Sequence, residues 1–197
     1  MSDIPVETLR QLLRYEPETG KLYWLERPVE MFEDSTFRHR TGKIAVRSAQ
    51  WACDLWNTRF AGQEAFTAKA KSGAYHGKLF GALHYAHRVI WALHTDAWPT
   101  DDIDHINGNR ADNRIENLRD VTHTENMRNQ KVYRSSVSGH HGVAPLRRRP
   151  GTWQAYITIN KKRQHIGYFR NLQDAIAARK AAEADCGLFH ENHGRAA

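Results

Sequence analysis

Apolar and polar positions along the first half of the chain follow recognisable periods. Residues 5–14 carry apolar side chains at helical spacing, which predicts a short amphipathic helix. Residues 21–25 (KLYWL) predict a strand, and residues 71–85, with three glycines among scattered aromatics, predict a hairpin. Ala86–His94 (AHRVIWALH) has the apolar spacing of a second helix. Residues 26–70 show no regular pattern and receive no assignment.

A turn-rich stretch, residues 102–129, follows the second helix. Its two short apolar pieces, Ile103–Ile106 and Ile115–Val121, flank a loop rich in Asn, Asp and Gly. Thr122 and Glu125 then have the spacing of a capping box, which opens a helix. The predicted order is therefore strand, loop, strand, helix.

The C-terminal third contains a second small unit. Residues 131–141 are polar and basic, with Ser and Gly, and have the character of a linker. Residues 153–159 alternate apolar and polar side chains and predict a half-buried strand, with residues 164–169 as its hairpin partner. Asn171 should cap a helix that Gly187 ends. The simplest assembly is a three-stranded antiparallel sheet with one helix packed on it.

Charge is distributed unevenly along the chain, and its distribution indicates the kind of partner. The formal net charge is +7 and the pI is about 9.6, which favours a polyanionic partner. Residues 81–130 carry 5 Lys/Arg against 8 Asp/Glu, whereas residues 131–197 carry 12 against 4. An acidic middle suits carboxylates that hold a cation, and a basic end suits a phosphate backbone.

Cysteine content and hydropathy indicate the compartment. The chain has only Cys53 and Cys186, in no metal-ligand spacing, which argues against a zinc ribbon or a disulfide scaffold and suits a reducing cytoplasm. The first residues, MSDIPVETLRQLL, lack the pattern of a signal peptide. No apolar run approaches the roughly 18–20 residues that span a bilayer. We therefore expect a cytoplasmic protein without a membrane partner.

Four residues in the turn-rich stretch have the chemistry of phosphodiester hydrolysis. That reaction needs an activated water, a cation that stabilises charge on the phosphate, and a rigid frame. His105 can supply the base because the pKa of histidine lies near neutral pH. Asp104 and Asn126 offer the oxygen ligands that magnesium prefers, and Asn117 lies twelve residues after His105.

Three other interpretations of this stretch compete with hydrolysis. DHINGN alone could be an Asx-rich turn, although a bare turn does not require all four residues at their spacings. A calcium EF-hand that starts at Asp102 fails, because Asn107 replaces the required glycine and Asn113 the closing glutamate. Zinc ligation by histidines remains open, but their spacings match no known site and we expect no zinc site. The histidines concerned are His87, His94, His105 and His123.

The motifs DHINGN, NRIENLR and VTHTENMRN resemble the HNH nuclease family, and most closely its phage and intron homing-endonuclease branch. The resemblance extends to AHRVIWALH and to YEPETGKLYW at residues 15–24. It implies a ββα-metal fold in which His105 is the general base and Asn117 pins the loop. It also implies that Asp104 and Asn126 hold one magnesium ion, for which manganese could substitute.

The C-terminal stretch from Gly142 onward resembles the plant ethylene-response-factor DNA-binding domain, in which a sheet contacts the DNA groove. The resemblance implies that alternate strand residues face double-stranded DNA, namely Gln154, Tyr156, Thr158, Arg163 and His165. Two basic clusters at the hairpin ends are candidates for further DNA contacts. They are Arg147, Arg148 and Arg149, and Lys161, Lys162 and Arg163.

Together these features predict an α+β protein with a ββα-metal nuclease unit and a small three-stranded antiparallel sheet carrying one helix. The expected domains are an N-terminal accessory region (1–80), the nuclease (81–130), a linker (131–141) and the DNA-binding domain (142–193). The expected activity is DNA cleavage. The alternative is a non-catalytic DNA-binding or regulatory protein that uses the C-terminal sheet. The oligomeric state and the recognition sequence are left open by the sequence.

Overall fold

The computed structural model describes residues 4–128, 132, 136–159 and 162–189. The chain divides into two compact units, Met1–Asp120 and Val121–Ala197. Both combine helices with small antiparallel sheets, so the α+β class is confirmed. The predicted boundary between residues 80 and 81 falls inside the first unit, and the four-part division stays a prediction. Within the described ranges, no helix has the length and apolar character needed to span a membrane.

The first unit is built from three helices and a series of short strands. The helices are α1 (Val6–Leu12), α2 (Ala49–Phe60) and α3 (Ala86–Thr95). The strands are β1 (Leu13–Glu16), β2 (Lys21–Trp24), β3 (Ser35–Arg38), β4 (Ile44–Arg47), β5 (Glu64–Ala65), β6 (Ala68–Lys69), β7 (Tyr75–Leu79), β8 (Ala82–Tyr85), β9 (Asp102–His105) and β10 (Leu118–Val121), the last of which ends in the second unit. They form the sheets β1-β2-β5, β6-β7-β8, β3-β4 and β9-β10.

The core of the first unit lies between α1 and α3. Leu9 of α1 and Val89 and Ile90 of α3 are fully buried. Burial of each such side chain contributes on the order of 1.5–3 kcal/mol. α3 also contacts β7 and β8, and Ile103 and Leu118 of the β9-β10 sheet belong to the same core. The strand that carries Asp104 and His105 is therefore fixed to the main core of the unit.

The N-terminal prediction was partly wrong. The helix predicted for residues 5–14 ends at Leu12, and Leu13–Glu16 forms strand β1, which pairs with β2 from Leu13↔Trp24 to Glu16↔Lys21. Leu13 is extended, and both it and Leu22 are buried. Apolar spacing alone cannot separate a last helical turn from the first residue of a buried strand.

The β1-β2 hairpin braces the loop between β9 and β10. The backbone N–H of Ile115 donates to Tyr15 Oη at 2.9 Å, and Tyr15 Oη donates to the carbonyl of Asn113 at 3.3 Å. Gly20, at φ +70°, lies directly against the backbone of the same loop, near Asn113 and Arg114. The hairpin that the sequence linked to the nuclease motif thus supports that motif physically.

Residues 26–70, which the sequence left unassigned, contain the β3-β4 hairpin and α2. Ser48 caps α2 by accepting the N–H of Trp51 at 3.2 Å. Asn57 bonds the backbone of Arg27 in both directions, each at 2.9 Å, which fixes one side of α2 to the rest of the unit. Polar and apolar residues are mixed around the helix, and its periodicity is therefore weak.

The second unit contains the predicted three-stranded sheet with one helix. Its elements are α4 (His123–Arg128), β11 (Val143–Pro145), β12 (Trp153–Ile159), β13 (Lys162–Phe169) and α5 (Leu172–Cys186), with sheet order β11-β12-β13. α5 packs on the sheet where Ala155 and Ala175 are both fully buried, since small side chains permit close approach. Asn171 and Gly187 cap α5 as predicted. For α4 the capping box is confirmed, because Glu125 and Thr122 bond each other's backbone N–H.

The brace on the loop can be tested by substituting Gly20. A Cβ at this position would lie 2.6 Å from the backbone N of Arg114 and 2.7 Å from the carbonyl carbon of Asn113. Gly62 also has positive φ, at +76°, but a Cβ there meets nothing within 4 Å. Gly62→Ala should lower the free energy of unfolding by about 1–2 kcal/mol for the backbone alone. Gly20→Ala should lower it by roughly a further 1–3 kcal/mol from overpacking. Equal losses in urea unfolding would show that Gly20 does not support the loop.

Candidate functional site

His105 is the last residue of β9, and its ring is oriented by one hydrogen bond. The side chain is 5% exposed, and Nε2 lies 3.0 Å from Oδ1 of Asn113. An amide oxygen can only accept, so this contact assigns the proton to Nε2. Nδ1 then keeps the lone pair and is the basic nitrogen of the ring.

The loop from 106 to 117 is closed by Asn117. The side-chain oxygen of Asn117 accepts the N–H of Asn107 at 2.9 Å, and its amide donates to the carbonyl of Asp112 at 2.7 Å. Its own carbonyl accepts the N–H of Ile106 at 2.9 Å. Asn117 is 6% exposed and holds both ends of the loop. Its contribution to catalysis stays a prediction.

Asp104 lies beside His105 and forms an ion pair with Arg119. The guanidinium donates from Nη2 at 2.7 Å and from Nε at 3.0 Å, both to Oδ2. Asp104 is only 9% exposed, and a buried carboxylate requires a charged or hydrogen-bonding partner. Arg119 thus neutralises this carboxylate within the first unit.

His87, on α3, contacts the ring of His105. The two ring centroids are 5.1 Å apart in an edge-to-face arrangement, and Nδ1 of His87 is buried with no hydrogen-bond partner among the described residues. Burial, followed by the nearby charges of His105, Arg88 and Arg110, lowers the pKa of His87 to about 3. Arg88 itself donates to the carbonyls of Asp101 and Pro99, so its role is structural.

The surroundings of His105 also favour its neutral form. Burial lowers the pKa of His105, and the hydrogen bond to Asn113 and the charge of Asp104 only partly oppose this effect. Arg110, exposed in the same loop, lowers the pKa values of both His105 and His87. At neutral pH the ring of His105 can therefore accept a proton, and Arg110 supplies a positive charge close to it.

Asn126 lies on α4, in the second unit, and its N–H donates to the carbonyl of Thr122 at 3.0 Å. The packing of α4 against β9 and β10, which a ββα-metal unit requires, stays a prediction. In the part of the chain that the structure describes, no group of three or more His, Cys, Asp or Glu side chains could hold a metal ion. The predicted ligand pair of Asp104 and Asn126 has only one side chain of these types, so this finding does not test it.

The C-terminal sheet has two chemically different faces. Cross-strand pairing places Gln154 opposite Tyr168, Tyr156 opposite His165 and Thr158 opposite Arg163. Directly paired side chains project on the same side. These six residues form what we call the polar sheet face. The opposite face carries Ala155 and Ile157, which are buried against α5.

Aromatic rings on the polar sheet face are stacked with cationic or polar partners. The guanidinium of Arg163 lies 3.4 Å from the ring centroid of Tyr156, and the rings of His165 and Tyr168 are 4.3 Å apart. Gln154 and Tyr156 also line an open groove of about 660 Å³ with His140, Arg147 and other residues of the β11 segment. The face is therefore basic, aromatic and accessible.

The basic clusters lie at opposite ends of the sheet. Arg147, Arg148 and Arg149 are exposed in the turn between β11 and β12. Arg163 and Lys162 lie at the other end, but Lys162 pairs with Ile159 and projects from the opposite face. Lys161 lies outside the described residues. The seven residues of β12 separate the two ends by roughly 20 Å at about 3.3 Å per residue.

Sequence reasoning missed three residues of these sites. Asn113 was one of four asparagines in the loop, and only the fold shows that its side chain meets His105. Arg119 is fifteen residues from Asp104, and strand pairing brings the two together. Tyr168 was missed because its place on the polar sheet face depends on the register of β12 and β13, which pairs it with Gln154. Its side chain is 56% exposed.

Comparison with known proteins identifies one segment of the chain. Residues 84–128 match the sequence model of the family described as HNH endonuclease. The match covers less than a quarter of the 197 residues and includes Asp104, His105, Asn117 and Asn126. No curated protein and no solved structure matches the chain. The match makes residues 84–128 similar to an HNH endonuclease domain and supports a nuclease or hydrolase at the level of the family. The comparisons lend no support to the homing branch or to the ethylene-response-factor resemblance.

The neutral state of His87 predicts a pH dependence of stability. Its folded pKa, about 3, lies below the ordinary value of 6.5. As pH falls from about 6.5 towards 3, the unfolded chain takes up a proton here that the folded chain does not, so the free energy of unfolding falls. His87→Gln should reduce that fall. His94→Gln, at an exposed position of α3, is the matched control. Urea unfolding between pH 7 and pH 4 measures the slopes, and identical slopes for wild type and His87→Gln would contradict the prediction.

Proposed function

We propose that this chain is a metal-dependent DNA endonuclease of the HNH type, in which His105 is the general base. The observation that carries the proposal is the hydrogen bond between His105 Nε2 and Asn113 Oδ1. It leaves Nδ1 as the basic nitrogen of a buried imidazole, in the segment that matches the endonuclease family. Homing, in a phage or its bacterial host, is the biological context that we propose from the sequence motifs, with the cytoplasm as its compartment.

His105 and its neighbours would activate water as follows. Nδ1 removes a proton from a water molecule as the water oxygen attacks the phosphorus of the DNA backbone. The bond from phosphorus to the leaving oxygen breaks in line with the attack. Asn113 keeps the ring in the productive orientation, and Asn117 keeps the loop closed around it. General-base catalysis of this kind contributes roughly 10²–10⁴-fold in rate. Arg110 is placed to contact a phosphate oxygen.

Asp104 and Asn126 are the proposed ligands of one magnesium ion, with manganese as a substitute. A carboxylate and an amide oxygen suit a hard cation, which keeps waters and substrate oxygens in its remaining positions. The carboxylate of Asp104 is 9% exposed and is paired with Arg119. The chemistry of the two proposed side chains therefore fits such an ion. When bound, it would supply Lewis-acid stabilisation of charge on the phosphate and the leaving oxygen.

The polar sheet face is the proposed double-stranded DNA contact of the second unit. A sheet face of this kind can place alternate side chains against base edges in the major groove. The basic clusters at its two ends, roughly 20 Å apart, would contact phosphates about six base pairs apart at 3.4 Å per step. The non-catalytic alternative, a DNA-binding or regulatory protein, would use the same face without cleavage.

Substitution of His105 tests the proposed mechanism. His105→Ala should slow DNA cleavage by roughly 10²–10⁴-fold while DNA affinity stays close to wild type. His94→Ala removes an exposed histidine from the same unit and should cut at the wild-type rate. Plasmid nicking, with and without magnesium, measures the rate. Cleavage by His105→Ala within a few-fold of wild type would remove His105 from the mechanism, and DNA binding without any cleavage by wild type would favour the non-catalytic alternative.

Adjacent basic residues on β13 test the proposed DNA face. Arg163 stacks on Tyr156 on the polar sheet face, whereas Lys162 projects from the other side. Arg163→Ala should weaken DNA binding, by roughly 1–3 kcal/mol at one base position if it contacts a base in bidentate fashion. Lys162→Ala removes the same charge and should have a smaller effect. Gel-shift titrations with several duplexes measure the DNA affinity of both variants. A greater loss of affinity from Lys162→Ala would contradict the proposal that DNA binds the polar sheet face.

A further inference from the structure

The hairpin β3-β4 belongs neither to the site around His105 nor to the C-terminal sheet. We call residues 35–47 the ribbon: the two strands and the turn 39–43 between them. The turn is ordered, since the N–H of His39 donates to the carbonyl of Lys43 at 2.8 Å and the N–H of Gly42 to the carbonyl of His39 at 2.8 Å. Arg40 is exposed at the tip of the ribbon.

One face of the ribbon is anchored and the other is uncovered. On the anchored face, the guanidinium of Arg47 lies 4.2 Å from the ring centroid of Phe37 and 5.1 Å from that of Trp51 on α2. The strand register places Thr36 opposite Val46 and Arg38 opposite Ile44, and these four residues form the outer face. Ile44 and Val46 are 67% and 64% exposed. The two side chains, two positions apart on β4, form an exposed apolar pair on this face.

The charge of this region indicates the partner. Residues 35–53 contain four basic residues and no acidic residue. The basic residues are Arg38, Arg40, Lys43 and Arg47. The preceding acid, Asp34, is held by the N–H of Ala49 at 2.7 Å, at the start of α2. Arg38 on the outer face and Arg40 and Lys43 in the turn are exposed, so the ribbon presents a positive surface beside its two apolar side chains.

We propose that the ribbon is a second DNA-binding element, within the first unit, that enters a groove of double-stranded DNA. The inference rests on the proposed function, because the DNA is the substrate of the same enzyme. The major groove is about 12 Å wide and admits a two-stranded ribbon. Arg38, Arg40 and Lys43 contact phosphates on the groove walls, while Ile44 and Val46 contact apolar base edges such as the thymine methyl group.

A salt titration of DNA binding tests the charged part of the ribbon. The variant Arg38→Gln/Arg40→Gln/Lys43→Gln removes three charges from the ribbon of the full chain. Its control, Lys69→Gln/Lys71→Gln/Lys78→Gln, removes three exposed charges elsewhere in the same unit. The ribbon variant should bind a labelled duplex on the order of 10–100-fold more weakly at moderate salt. Its salt slope should be shallower by roughly 2–3, at about 0.9 for each phosphate that the protein no longer neutralises. The control should stay within a few-fold of wild type.

A second pair of variants tests the apolar side chains of the outer face. Ile44→Thr/Val46→Thr keeps β-branched residues in the strand and removes apolar surface. It should weaken binding several-fold and leave the salt slope unchanged, because the same phosphates are still neutralised. Leu83→Thr, at a 52% exposed position of β8, is the control and should not weaken binding. Thermal melting of each variant verifies that the fold is intact.

The possible outcomes distinguish a failure of the ribbon proposal from a failure of the proposed endonuclease function. Equal reductions in affinity for the ribbon and control variants would overturn the proposal, as would weaker binding of duplex RNA with unchanged binding of duplex DNA. At saturating enzyme the ribbon variant should regain the wild-type cleavage rate, whereas His105→Ala should not. If wild type cuts no DNA with any divalent cation, the proposed function fails, yet the binding comparison still decides the role of the ribbon.

Discussion

Buried hydrogen-bonding groups need partners within the protein, and the segment between β9 and β10, in which Asn113 and Asn117 are buried, meets this constraint from three sides. Asn117 closes the loop on itself, Asn113 extends from it to His105, and Tyr15 bonds it from another hairpin. The contacts of Asn117 and Tyr15 fix backbone groups of the loop, and the contact of Asn113 fixes the ring of His105. The orientation of the His105 imidazole thus depends on the hydrogen bonds that hold the loop in place.

Electrostatics at the site depend on the same burial. His87 and His105 contact each other in a poorly solvated place, where two positive rings would repel, so both are held neutral. The carboxylate of Asp104, beside them, is paired with the guanidinium of Arg119. The arrangement thus places a neutral imidazole next to an ion pair.

The sequence predicted those parts of the fold whose signals are local. The capping box at Thr122 and the alternation in residues 153–159 depend on neighbouring residues, and both were correctly interpreted. The strand at Leu13 was missed because its apolar spacing continues that of the helix. Asn113 and Arg119 were missed for a different reason: their roles depend on pairing between residues 8 and 15 positions apart, which no periodicity encodes. The sequence shows that the ribbon is basic, but only the strand register shows that Ile44 and Val46 share an exposed face.

The brace supplied by Tyr15 has a consequence for how a domain of this kind can diversify. The family match begins at residue 84, yet the backbone of Asn113 and Ile115 is bonded by a side chain almost a hundred positions earlier. A segment 84–128 transplanted alone would carry Asp104, His105, Asn117 and Asn126, but the N–H of Ile115 and the carbonyl of Asn113 would lose the hydroxyl of Tyr15 as their partner. Recombination that exchanged the N-terminal segment would have to bring a new hydroxyl to the same place. We therefore expect the hairpin and the motif to be exchanged together, because the hydroxyl of Tyr15 joins them.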